Sequence, residues 1–101
     1  MPRSGYITVT LRFYEEEDQW VGRCLELGTM ACGDTREIAE EALQEAMEMK
    51  IEGLAELGEL DSFLAKHGIP FYARKPRRLT SFAEVPVDPS VYTQRQLIAV
   101  N

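Results

Sequence analysis

Residues 6–14 read Tyr6-Ile7-Thr8-Val9-Thr10-Leu11-Arg12-Phe13-Tyr14. Ile7, Val9, Leu11 and Phe13 point one way; Tyr6, Thr8, Thr10, Arg12 and Tyr14 point the other. A period of two, carried by β-branched and aromatic residues, predicts a strand with one face buried. Downstream, Glu15-Glu16-Glu17-Asp18 breaks the pattern with four like charges and reads as a solvated hairpin loop. Gln19 to Leu27 resumes a strand, with Trp20, Val21, Leu25 and Leu27 as its apolar content. Gly28 punctuates, and Thr29-Met30-Ala31-Cys32 is long enough for a third short strand before Gly33. Short connections make the three strands an antiparallel meander, because parallel pairing needs a long crossover.

Gly33-Asp34-Thr35 opens a helix. Asp34 is an N-cap type, and Glu37 stands three residues on at capping-box spacing. No proline interrupts Arg36 to about Leu57. At about 100° per residue, Ile38, Ala39, Ala42, Leu43, Ala46, Met47, Met49, Gly53, Leu54 and Leu57 share one half of the helix. Gly53 is expensive inside a helix, about 1 kcal/mol against Ala, so close packing on the sheet is the expected reason for it. Gly58 suits the residue just past the helix end. A shorter helix is expected from Leu60 to His67, with Gly68 as its stop. Pro70, Pro76, Pro86 and Pro89 then argue against a helical add-on domain. Leu79 to Val87 and Leu97 to Val100 read as extended segments.

The expected architecture is therefore α+β: a three-stranded antiparallel sheet packed on one long helix, a short second helix and an extended C-terminal tail. The division falls between residues 1–68 and residues 69–101. The chain has 101 residues, the size of one modest core. No run approaches the ~18 apolar residues of a membrane span. Met1 to Gly5 carries no apolar leader core, and two cysteines, Cys24 and Cys32, suit a reducing compartment; both point to the cytoplasm.

The net charge of −6 is unevenly spread. Residues 1–61 hold 5 Lys/Arg against 15 Asp/Glu; residues 62–101 hold 6 against 2. An acidic body repels phosphates, which argues against non-specific nucleic-acid binding by that part. A small core, an apolar tail and opposite charges on body and tail predict a homo-oligomer, a dimer first, with residues 79–100 as strands or arms across the interface.

The run Trp20-Val21-Gly22-Arg23-Cys24-Leu25-Glu26-Leu27, then Ala31-Cys32-Gly33-Asp34-Thr35, then Glu37, Ala39, Leu43, Glu45-Ala46, Glu48 and Glu52-Gly53 resembles the HicB antitoxin family. Ile38 stands where that family commonly has Glu. The likeness covers about residues 6–57. It implies a partial RNase H-like fold without nuclease carboxylates, and a role in neutralising a small RNA-cleaving toxin of the HicA type. Residues 69–101 lack the C-terminal DNA-binding module of many such proteins, so the form is solitary and DNA binding is not expected. The alternative is a solitary self-associating structural or RNA-binding module with no toxin.

Four groups of residues are candidate sites. Glu37, Glu40, Glu41, Glu45, Glu48 and Glu52 occupy the helix side opposite its apolar half, many at like-charge i,i+3 or i,i+4 spacing. That face is either simply solvated or a docking surface for a basic partner, carried by Glu41, Glu45, Glu48 and Glu52. Asp18 and Asp34 flank the sheet but suggest no convergent carboxylates of a two-metal nuclease, so no catalytic residue is assigned. Cys24, Cys32 and His67 have no zinc spacing; both cysteines read as buried structural residues, and no metal or cofactor is expected. Arg74, Lys75, Arg77 and Arg78, with Phe71 and Tyr72 nearby, fit either an oligomer contact or nucleic-acid stacking.

Overall fold

In a computed structural model that describes residues 5–74 and 91–100, the chain is α+β, an antiparallel sheet with two helices, one of them long. The strands are β1 (Gly5–Glu16), β2 (Gln19–Cys24), β3 (Thr29–Gly33), β4 (Phe71–Tyr72) and β5 (Tyr92–Val100). The helices are α1 (Arg36–Glu56) and α2 (Leu60–Lys66). The expected meander is present: β1 pairs with β2 and β2 with β3, both antiparallel.

The hairpin loop is two residues, not four. Glu15 pairs with Trp20 and Glu16 with Gln19, leaving Glu17 and Asp18 as the turn with φ of 51° and 64°. Positive φ at both positions matches the twist of the strands, at a steric cost to side-chain-bearing residues.

The expectation of three strands is corrected to five. The missing pair comes from the far end of the chain. β5 pairs antiparallel with β1 over nine positions, from Gly5↔Val100 to Phe13↔Tyr92. β4 pairs with β1 at Tyr6↔Tyr72 and Ile7↔Phe71. Because β2 and β5 both meet β1 at residues 11–13, they lie on its opposite edges; β4 shares the β2 edge. The segment Tyr92–Val100 is thus a strand of the same sheet and not an independent tail. Leu79 to Val87 lies outside the described residues.

Alternation decides the core. Ile7, Val9, Leu11 and Phe13 are at most 3% exposed, and Ile98 and Val100 on β5 complete the same face. From α1, Ala39, Leu43, Met47 and Ile51 enter that core, a stripe of strict i,i+4 spacing. It is narrower than the half-helix expected, and Ile51 belongs to it. Ile38, Met49 and Leu57 are 48%, 71% and 72% exposed.

Close approach of helix and sheet falls on sheet glycines, not on Gly53. A Cβ on Gly22 would sit 2.8 Å from Phe13 and 3.2 Å from Leu43; one on Gly33 would sit 2.7 Å from the Ala39 nitrogen. A Cβ on Gly53 would meet nothing within 4 Å, so close packing on the sheet does not account for Gly53.

The helix boundaries follow from caps. Thr35, not Asp34, is the N-cap: its Oγ1 accepts from the Ile38 amide at 3.2 Å. A threonine hydroxyl in extended backbone reaches the third helical amide as well as a carboxylate does. The register moves by one, so Glu37 does not complete a capping box, and the residue at that position is Ile38. At the other end Gly58 donates to the Ala55 carbonyl and Glu59 to that of Leu54. Gly68 and Ile69 repeat the arrangement on Ala65 and Leu64, ending α2. These are two Schellman motifs, each with a glycine at positive φ.

Candidate partner-binding face

α1 lies with its buried stripe on the sheet, so the opposite side of the helix looks into solvent. Glu37, Glu41, Glu45, Glu48 and Glu52 are all exposed there, with Glu56 one turn on. Glu40 is drawn off this ridge: it accepts from Arg36 Nε at 3.1 Å, the helix's one ion pair among the described residues. Arg36 is held in turn over the rings of Tyr92 and Phe13, at 4.5 and 5.6 Å from their centroids. Lys50, the other cation of α1, is turned to the Phe63 ring at 5.3 Å. Glu48 accepts a hydrogen bond from Gln44 at 3.2 Å. Both cations of the helix are therefore engaged away from Glu41, Glu45 and Glu52.

Two apolar side chains share this ridge. Ile38 and Met49, expected on the buried half of the helix, are both exposed beside the carboxylates, although Ile38 also lies against Gly33 of β3. The signal that finds them is the i,i+4 run Ala39-Leu43-Met47-Ile51, which places 38 and 49 opposite it. The result is a ridge of like charge with apolar residues between the carboxylates.

The uncovered face of the sheet differs in sign. Arg12 and Arg23 are exposed and directly opposite each other across β1 and β2. Like charges in that position are destabilising. Arg95 of β5 is on the same face and donates to Thr8 Oγ1 at 3.4 Å. Tyr6 and Tyr14 alternate with them along β1. Glu26 lies in the gap on the β1 edge between β2 and β4: its Oε1 accepts from the Thr10 amide at 2.7 Å and its Oε2 from the Thr10 hydroxyl at 2.9 Å.

Asp18 and Asp34 line one open depression with Glu16, Glu17 and Cys32. Among the described residues no group of three His, Cys, Asp or Glu is arranged to hold a metal ion. Both thiols are free. Cys24 is buried against Leu11, and burial, helped by the Glu26 carboxylate, pushes its thiol above the ordinary range. Cys32 is exposed on the uncovered sheet face, which corrects the expectation that both are buried. His67 caps α2 through its backbone and stacks on Phe63 at 4.3 Å between centroids. Arg74 is exposed; Lys75, Arg77 and Arg78 lie outside the described residues. No described helix is long and apolar enough to cross a membrane.

No family model, curated protein or solved structure matches this chain. What the ridge can bind follows from its own chemistry: a surface of carboxylates with exposed Ile38 and Met49 suits a partner carrying cations around an apolar patch.

Proposed function

We propose that the chain is a HicB-like antitoxin, a non-enzymatic cytoplasmic protein that binds and neutralises a small basic RNA-cleaving toxin of the HicA type. The ridge of α1 is its docking surface. The observation that carries this reading is the set Glu41, Glu45, Glu48 and Glu52, standing around Met49 while both cations of the helix are turned elsewhere. Each like-charge neighbour pair costs about 0.2–0.5 kcal/mol in the free protein. A basic partner relieves that cost and covers Ile38 and Met49. A meander followed by a long helix is also what a partial RNase H-like domain would supply, which supports the family likeness of residues 6–57.

The test is the triple variant Glu41→Gln, Glu45→Gln, Glu48→Gln. The free protein should melt slightly higher, because repulsion is removed. Association with a small basic partner recovered from the native host should slow, and its salt dependence should flatten. Recovery of no small basic partner from the native host, or unchanged association across a salt series, would overturn the reading.

One observation favours the alternative, an RNA-binding module without a toxin: Arg12 facing Arg23 on the uncovered sheet. In that case labelled single-stranded RNA should bind the intact protein, and Arg12→Ala with Arg23→Ala should abolish binding while the triple Gln variant keeps it.

A further inference from the structure

β5 is an edge strand. Along β1, Thr10 directs its N–H to Glu26 and its carbonyl to the Leu25 amide, both on the β2 side. Backbone groups alternate between edges in antiparallel sheets. The odd residues of β1 therefore bond to β5, and their partners Tyr92, Gln94, Gln96, Ile98 and Val100 face inward. By the same alternation Thr93, Arg95, Leu97 and Ala99 turn their N–H and C=O groups away from β1. No other described strand pairs there.

Within β5 itself nothing blunts this edge. Tyr92–Val100 is nine residues long, with no proline, no glycine and a single charge, Arg95. Natural edges of that length carry lysines, prolines or bulges, because a bare one templates further pairing. The opposite edge strand, β3, is only five residues, Thr29–Gly33, preceded by Gly28 and ending on a glycine.

We infer that the outer edge of β5 pairs antiparallel with β5 of a second copy, joining the two sheets into one. Three surfaces could meet their own copy about a two-fold axis, and charge separates them. Stacking α1 ridges sets carboxylates against carboxylates. Stacking the uncovered sheet faces sets Arg12 and Arg23 against themselves. Only the β5 edge sets no like charges directly opposite one another, since an axis through Gln96 pairs all nine residues and puts Arg95 opposite Leu97 of the second copy. The same register covers Tyr92, now 45% exposed, with Val100 of the second copy. The α1 ridges stay outward on both copies.

Light scattering on the intact chain tests this at micromolar concentration, with far-UV circular dichroism to confirm folding. The expected mass is twice 11.5 kDa. Leu97→Lys sets a lysine opposite Arg95 twice per dimer and should give a folded monomer. Leu97→Glu alters the same site with opposite sign and should keep the dimer, more tightly at low salt. Thr93→Pro removes an outward N–H that β1 does not use; it should also give a folded monomer, and it decides the matter if Leu97→Lys fails to fold. A wild-type monomer, or a dimer unmoved by Leu97→Lys and by Thr93→Pro, would overturn the proposal.

Discussion

β2 and β5 flank the same strand, and the two are held in place differently. β2 follows β1 after a turn of two residues, Glu17 and Asp18, and pairs with it over residues 11–16. β5 arrives from the far end of the chain and pairs over residues 5–13. Loop closure grows only with the logarithm of length, about 0.6 kcal/mol per doubling, so the longer connection costs roughly 3 kcal/mol more. Burying Ile98 and Val100, 5% and 1% exposed, returns about 1.5–3 kcal/mol each. A remote strand can therefore belong to the core as firmly as a local one, provided that it fills apolar positions which the local strands leave open.

The comparison breaks most readily at β5. Ending the chain before Tyr92 removes Ile98 and Val100 and leaves the β1 edge bare. The truncated protein should lose its cooperative urea transition. Ile98→Ala alone should cost about 2–5 kcal/mol, as expected for a buried Ile with Ile7 across from it. A truncated chain with a native-like transition would show that β5 is peripheral and that the local half is self-sufficient.

The local half has its own weak point at the entry to α1. Thr35→Ala removes the hydroxyl that accepts from the Ile38 amide and should lower stability by about 1 kcal/mol, several degrees in a domain this small. Asp34→Ala should change the melting temperature much less. Equal effects from the two variants would restore Asp34 as the cap.

The smallest expected effect is a gain. Gly53 lies in α1 with open space where a Cβ would go. Gly53→Ala should stabilise the protein by about 0.5–1 kcal/mol in a thermal melt, through reduced freedom of the unfolded chain and better helix propensity. A loss instead would mean that the helix needs to come closer to a neighbour at that point than the fold shows.

Local pattern by itself determined the meander, both helices and their glycine stops, because alternation, caps and Schellman motifs are short-range and each is complete within a few residues. It also marked Glu41, Glu45, Glu48 and Glu52 as one surface, since helical spacing is enough for that. What only the tertiary structure decided was which apolar residues were spent on the core. Ile38 and Met49 were left among the carboxylates because the sheet admits only a narrow i,i+4 stripe of α1. Leu97 to Val100 was legible as an extended segment, but not as a partner for β1. Nothing within nine residues encodes a pairing with residues some ninety positions away; that choice rests on the apolar edge of β1 which β2 and β4 leave unfilled.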